Sequence, residues 1–196
     1  MYIPEYFRIN DKKEILSFIE KNSFGVLTSY DGQRPCSTHL PFLMNEEGTM
    51  LSTHLARQNS QLNYIENQEM LICLSGPHDY ISPSWYEGKG VPTWNYQAVH
   101  IYGTCRMVSD PAALKNILSL LVNKYESAEA APWQAEYPDS MLRGIVGIEI
   151  DITDIQCKYK LSQNRSAQDV RNVSDQLSER GSEQLASEML RQLGSV

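Results

Sequence analysis

Apolar and polar residues alternate along several parts of the chain, as they do in half-buried strands. The clearest case is Ile148, Ile150 and Ile152, which alternate with Glu149 and Asp151. Successive side chains of a strand point to opposite faces, so this spacing predicts a strand with one buried face. Strands are predicted over residues 24–30, 34–44, 49–54, 69–75, 96–108 and 143–155, and residues 156–161 can extend the last one.

Apolar residues at helical spacing predict helices between and after these strands. Residues 11–22 and 111–125 each carry an apolar stripe, and residues 59–65 form a short helix capped by Asn59 or Ser60. From residue 166 the chain is polar and helical, and a glycine at position 181 separates two helices. Residues 76–94 are rich in proline, glycine and aromatic side chains, so they are predicted to form a loop.

This order of elements predicts a mainly β fold with inserted helices (α+β), built on a closed or partly open antiparallel barrel. We expect residues 1–165 to form the barrel domain with its inserted helices. Residues 166–196 form a helical extension that packs on the same domain. A chain of 196 residues is long enough for one domain with one core.

Composition and charge exclude several classes of protein. The net charge of -7 repels nucleic acid and anionic membranes, so a protein that binds either of them over its whole surface is disfavoured. The N-terminus has no basic segment followed by an apolar one, so no signal peptide is predicted. No apolar stretch is long enough to span a bilayer. The four cysteines are widely spaced and without a CxxC pair, which favours reduced thiols in a cytoplasmic protein.

The segment over residues 49–59 carries the first candidate chemistry. Its strand ends near Ser52 and Thr53, its loop carries Arg57, and a helix begins after the loop. Hydroxyls, a guanidinium and the free N–H groups of a helix N-terminus are donors that bind phosphate. The alternative is an ordinary strand end, a surface arginine and a helix cap.

The aromatic segment over residues 76–96 is the second candidate. Its rings can stack on a planar ligand or line an interface between subunits, or they can simply anchor a long loop. The rings concerned are Trp85, Tyr86, Trp94 and Tyr96. A third candidate is the polar run that contains Lys160 and Arg165, which can neutralise an anion or cap the tail helix.

Other kinds of site find no support in the sequence. The four histidines have no metal-ligand spacing on a helix, so no metal site is predicted. There is no GxSxG elbow, no GxGxxG run and no phosphate-binding GxxxxGK[ST] loop. No catalytic residue is identified.

A series of motifs that spans nearly the whole chain resembles the PaiB family, and the motifs occur in the same order as in that family. The motifs are Met1-Tyr-Ile-Pro, His39-Leu-Pro-Phe42, His54-Leu-Ala-Arg57, Gly76-Pro-His78, Ile81-Ser-Pro-Ser-Trp-Tyr86, Val91-Pro-Thr-Trp-Asn-Tyr96, Val99-His-Ile-Tyr-Gly103 and Lys160-Leu-Ser-Gln-Asn-Arg165. Each motif is weak alone, but the set is specific. The resemblance implies an FMN-binding split β-barrel that acts as a negative transcriptional regulator of protease synthesis and sporulation.

The wider fold includes pyridoxamine-phosphate oxidase and flavin reductases, which are homodimers with the flavin at the subunit interface. In the oxidase, a strand ending in hydroxyl residues leads into a basic loop that holds the FMN phosphate, and residues 48–67 match this segment. The resemblance therefore implies a homodimer and an FMN site. The cofactor-binding residues that it implies are Thr38, His39, Ser52, Thr53, His54, Arg57, Gln58, Asn59, Trp94 and Lys160.

The chain departs from the oxidase on the preceding strand. There the oxidase has two basic side chains, whereas this strand offers Thr38 and His39. A phosphate held by one arginine and neutral donors binds less tightly than one held by several cations. Either Lys160 or Arg165 supplies the missing charge, or FMN binds loosely, or another ligand binds.

The predicted function is a PaiB-type regulator that acts on gene expression directly or indirectly. The tail helices are not a basic DNA-reading element, because acidic residues outnumber basic ones from Arg165 onward. The alternatives are an FMN-dependent oxidoreductase acting on a small substrate, and a dimeric interaction module without flavin.

Overall fold

A computed structural model describes residues 1–131, 133 and 137–194 of the chain. Seven strands are hydrogen-bonded in the order β2-β1-β5-β6-β7-β4-β3. Their bounds are β1 Phe24–Tyr30, β2 Pro35–Pro41, β3 Leu43–Met44, β4 Met50–Ala56, β5 Glu69–Ile81, β6 Thr93–Val108 and β7 Ile145–Lys160. The pairs β1–β2, β1–β5, β3–β4 and β4–β7 are antiparallel. The predicted mainly β class with inserted helices is therefore confirmed.

The helices are α1 Lys12–Lys21, α2 Pro111–Glu126, α3 Asp139–Leu142, α4 Ala167–Glu179 and α5 Glu183–Leu193, and 3-10 turns cover Glu5–Phe7, Ser60–Asn63 and Pro83–Trp85. Polar side chains cap the longer helices, and the cap of the first tail helix is Ser166 and not Ser162 or Asn164 as predicted. The carboxylate of Asp110 accepts a hydrogen bond from the backbone of Ala113 at 2.9 Å, and the hydroxyl of Ser166 accepts one from Asp169 at 3.0 Å. Helix α3 was not predicted.

Three predictions were wrong in detail. The single strand predicted over residues 34–44 is two strands, because the buried Phe42 interrupts the pairing and donates its backbone N–H to the Ser23 carbonyl at 2.8 Å. The helix predicted over residues 59–65 is one 3-10 turn. The loop predicted over residues 76–94 is shorter and covers only residues 82–92, because β5 continues to Ile81 and β6 begins at Thr93.

Gly76 explains why a glycine lies inside β5. A Cβ atom at this position would come within 2.7 Å of the Phe18 ring and 3.2 Å of the Gln97 side chain. The strand therefore needs a residue without a side chain at this point, and the glycine marks a close approach and not a turn.

The chain forms two compact units. The first contains Met1–Phe18, Ser75–Val99 and Gln156–Val196, and the second contains Ile19–Leu74 and His100–Ile155. Leucine and isoleucine dominate the core of the second unit, where Leu27, Leu51 and Ile72 have no exposed surface. Tyr159 and Val173 are buried in the first unit. None of the helices described is long and apolar enough to cross a membrane.

The C-terminal helices pack within the first unit. Their buried faces carry Val173 and Leu177 on α4 and Met189 on α5, and the two helices confirm the predicted helical tail. Asn95 on β6 donates its side-chain amide to Ser162 at 2.9 Å and lies 3.3 Å from the Met189 sulfur. The extension thus contacts a strand of the same unit, while the predicted domain boundary at residue 166 stays a prediction.

Candidate ligand-binding site

Strand β4 places its predicted site residues on two faces. Thr53 lies on the buried face between Leu51 and Leu55, whereas Ser52 and His54 lie on the opposite face and are half-buried. Because a strand alternates its side chains, the two hydroxyls of Ser52 and Thr53 do not point to the same side. A ligand on the outer face of β4 would meet Ser52 and His54.

Two buried polar atoms of β4 have no hydrogen-bond partner within the described part of the chain: Oγ1 of Thr53 and Nδ1 of His54. Burial lowers the pKa of His54, so its imidazole is neutral at pH 7. A buried polar atom without a partner costs about 1–3 kcal/mol. Nδ1 of His54 can therefore still form a hydrogen bond with a polar group of a ligand.

Arg57 joins the end of β4 to the start of β7. Its guanidinium donates to the carbonyl oxygen of Arg143 at 2.6 Å and to that of Ile145 at 2.9 Å. Its backbone N–H donates to the Gly144 carbonyl at 2.8 Å. A guanidinium has five N–H donors, so three can still bind an anion. The neighbouring Gln58 is exposed.

Thr38 and Asn59 come together around a residue that the sequence did not single out, Gln61. The Asn59 amide donates to the Thr38 hydroxyl at 3.0 Å, and that hydroxyl donates to the Gln61 side chain. Gln61 is only 2% exposed and also donates to the Ser29 hydroxyl at 2.7 Å. A sequence gives no sign of this role, because the partners come from β1 and β2.

The helix N-terminus expected after Arg57 is a short turn whose donors are partly used. The Asn59 side chain caps it by accepting the Gln61 backbone N–H at 2.9 Å, which confirms Asn59 as the cap. His39 is exposed on β2, and its ring stacks on Phe24 with centroids 6.3 Å apart. A phosphate on this side would be bound by side chains more than by the helix terminus.

The two remaining predicted residues, Trp94 and Lys160, meet in the first unit. The ammonium group of Lys160 donates to the hydroxyl of Thr93 and, at 2.6 Å, to the carbonyl of Trp94. Desolvation and the nearby Lys158 lower the pKa of Lys160. Trp94 is 54% exposed.

Lys160 and Arg165, the two cations of the third sequence candidate, line the same small cavity of about 220 Å³ in the first unit. The Arg165 guanidinium also lies 4.4 Å from the centre of the Tyr86 ring. The third candidate therefore brings two cations to one cavity, where both also contact other groups of the chain. The assignment of these residues to a flavin stays a prediction.

Comparison with known proteins gives one family match and several similar proteins. Residues 1–154 match the family model described as "Putative FMN-binding domain". The chain is 42% identical over 185 residues to the "Protease synthase and sporulation protein PAI 2" of Bacillus subtilis, an alignment that covers 90% of this chain and 89% of that protein.

Two solved structures are similar in fold. The flavocytochrome Anf3 from Azotobacter vinelandii superposes with a TM-score of 0.65 at 16% identity, over 81% of this chain and 72% of that one. The FAD and heme binding protein from Mycobacterium smegmatis also has a TM-score of 0.65, at 11% identity over 83% of this chain and 78% of that one. These similarities confirm the predicted split β-barrel fold.

Proposed function

The chain belongs to the family described as "Putative FMN-binding domain", and on that premise we propose that it binds FMN and regulates gene expression in the manner of the PaiB family. The observation that carries the flavin proposal is the buried, partnerless Nδ1 of His54 on β4. It lies in the segment that resembles the phosphate-binding segment of pyridoxamine-phosphate oxidase.

The donors near His54 suit a phosphate and a polyhydroxyl chain. Neutral hydroxyl and amide groups come from Ser52, Gln58 and Asn59, and one cation comes from Arg57. A neutral imidazole can accept a hydrogen bond from a ribityl hydroxyl at Nδ1. FMN, when bound, supplies the capacity to accept and release electrons. The chain's own residues bind and orient it.

Flavin titration tests this part of the proposal. We expect flavin-free protein to quench FMN fluorescence on binding, and His54→Leu to weaken the affinity about three- to tenfold because one hydrogen bond is lost. The variant should fold as stably as the parent, because leucine removes a buried atom that has no partner. Equal FMN affinity in the parent and the variant would contradict the proposal.

His100→Leu is the matched control for that titration. His100 is also half-buried on a strand of the second unit, and burial also lowers its pKa. It lies outside the predicted site, so its replacement should leave FMN affinity unchanged. A similar loss in both variants would show a general effect of removing a histidine from the sheet.

The regulatory part of the proposal is supported by the relative from Bacillus subtilis, whose name refers to protease synthesis and sporulation. We propose negative regulation of these processes. The C-terminal helices use their apolar faces for packing within the first unit and carry more acidic than basic residues. Regulation through a partner protein is therefore favoured over direct reading of DNA.

We also propose a homodimer with the flavin near the subunit interface. Two large apolar side chains at the ends of β1, Phe24 and Tyr30, are 63% and 52% exposed, which supports a surface that a second subunit covers. Elution with light scattering should give twice the mass of 22.3 kDa. A monomer at micromolar concentration, with FMN bound, would contradict this arrangement.

Two measurements separate regulator from enzyme. Salt-sensitive binding to a promoter fragment, or capture of a specific transcription factor, supports the regulator. Steady oxidation of NADH or NADPH by the FMN-loaded protein, at rates well above those of free FMN, would instead support an FMN-dependent oxidoreductase.

A further inference from the structure

A cavity of about 740 Å³ lies in the second unit, next to the pairing of β4 with β7. It is bounded by the start of α2, the end of β6, α3 and the start of β7. Its walls are aliphatic, with Leu62, Val108, Leu114 and Leu142 among them, and none of the described lining residues is aromatic. Its volume is in the range of small-molecule sites, which is about 300–1,000 Å³.

Among the described residues that line this cavity, the charged ones are basic: Arg57, Lys115 and Arg143. The whole chain has 24 acidic and 17 basic residues, so a basic lining runs against its composition. Two carboxylates nearby in sequence bind backbone groups. Glu66 accepts the Met107 N–H at 2.7 Å, and Asp110 caps α2 at 2.9 Å; neither lines the cavity.

One of the three cations, the guanidinium of Arg57, is held in place by hydrogen bonds. Its two hydrogen bonds to the carbonyls of Arg143 and Ile145, both lining residues, hold the guanidinium at the cavity wall. A guanidinium held in this way loses little conformational freedom when it binds a planar carboxylate. Aliphatic walls and a fixed cation together match a ligand with a hydrocarbon body and one anionic end.

We propose that this cavity binds a medium-length aliphatic carboxylate, with its chain against the leucine-lined walls and its carboxylate at the basic residues. The absence of aromatic lining residues favours a hydrocarbon chain over a planar ring. The cavity lies on the same face of β4 as His54, because Gly147, which pairs with His54, faces Val108 and Leu114 of the lining. The proposed carboxylate is nevertheless a different ligand from the flavin. The two proposals share Arg57, so the tests below rely on residues that only the cavity uses.

Calorimetric titration of the full chain with decanoate tests the proposal, with decanol and decylamine as probes of equal chain length. We expect saturable binding of decanoate at one site, at least tenfold weaker binding of decanol, and none of decylamine. Arg143→Ala should weaken decanoate binding about three- to tenfold, because one charge-assisted contact is lost. Binding of decylamine as tight as that of decanoate would overturn the proposal.

Two further variants make the test specific. Arg34→Ala removes the same charge from the exposed turn between β1 and β2, so decanoate affinity should be unchanged. Leu62→Trp fills the cavity without changing the charge, and it should abolish binding. Equal losses in Arg34→Ala and Arg143→Ala, or full binding in Leu62→Trp, would show that the anion binds elsewhere.

FMN titration of the same variants separates this proposal from the proposed function. We expect Arg143→Ala and Leu62→Trp to bind FMN as the parent does. A parallel loss of FMN and decanoate binding would show that the cavity is part of the flavin site, and it would overturn the proposal of a second ligand. Loss of decanoate binding alone supports it.

Discussion

Gln61 provides the sharpest test of how the site is held together. Its side chain is 2% exposed and contacts the hydroxyls of Thr38 and Ser29, and it donates to the Cys36 carbonyl at 3.3 Å. Gln61→Met keeps the length of the side chain and removes its polar atoms. Each hydrogen bond contributes about 0.5–1.5 kcal/mol, and a buried group left unpaired costs about 1–3 kcal/mol.

Both hydroxyls keep a second partner, which limits the loss. Ser29 lies 3.2 Å from the Tyr64 hydroxyl, and Thr38 still accepts from Asn59 at 3.0 Å. We therefore expect the free energy of unfolding to fall by about 2–3 kcal/mol, because three modest hydrogen bonds are lost but neither hydroxyl is left without a partner. For a chain of this size the midpoint of thermal unfolding should fall by about 5–10 °C.

Urea unfolding followed by circular dichroism measures the free energy of unfolding, and titration with FMN measures the affinity of the site. Gln33→Met on the exposed turn should change the free energy of unfolding by less than about 0.5 kcal/mol. A double-mutant cycle with Thr38→Val gives the coupling between Gln61 and Thr38. A loss below about 0.5 kcal/mol in Gln61→Met, or additivity within about 0.3 kcal/mol in the cycle, would refute the reasoning.

Two further predictions concern packing and pH. Gly76→Ala should lower the free energy of unfolding by about 1–3 kcal/mol, because the new methyl group meets Phe18. Gly88→Ala should not lower it, because a methyl group there has no neighbour within 4 Å. Equal effects of the two variants in urea unfolding would contradict this prediction. Burial holds the pKa values of His54 and His100 below 6.5 in the folded state, so the unfolded chain binds more protons. The free energy of unfolding should therefore fall as the pH decreases through 6.5, and this slope should weaken in His54→Leu; an unchanged slope in urea titrations between pH 5 and 7.5 would argue against a neutral His54.

Local patterns in the sequence predict most of the fold, because those elements obey local rules. The alternation at Ile148 and Ile150 is a property of β7 itself, and Gly181 separates α4 from α5 in a left-handed conformation with φ of 85°. The predicted ends of β1 agree with the structure for the same reason, since a turn with Gly32 at positive φ follows it.

Features that depend on distant contacts could not be predicted. Gly76 was predicted as a loop residue. A glycine is needed there because the Phe18 ring, from a distant segment of the chain, packs closely against β5 at this point. Gln61 was predicted only as part of a short helix over residues 59–65, yet it is buried against side chains of β1 and β2. Arg57 was singled out as a phosphate-binding residue, which stays a prediction. Its contacts with the carbonyls of Arg143 and Ile145 depend on a pairing of β4 and β7 that no local pattern shows.

The packing of the C-terminal helices sets a limit on how this chain can be shortened. The family match ends at residue 154, inside β7, which runs from Ile145 to Lys160. Truncation there would cut the strand and remove Met189 and Glu188, which contact Asn95 and Gln97 on β6. The shortened chain would expose apolar surface and an unpaired strand edge, a combination that promotes aggregation. The end of the family match is therefore not a folding boundary.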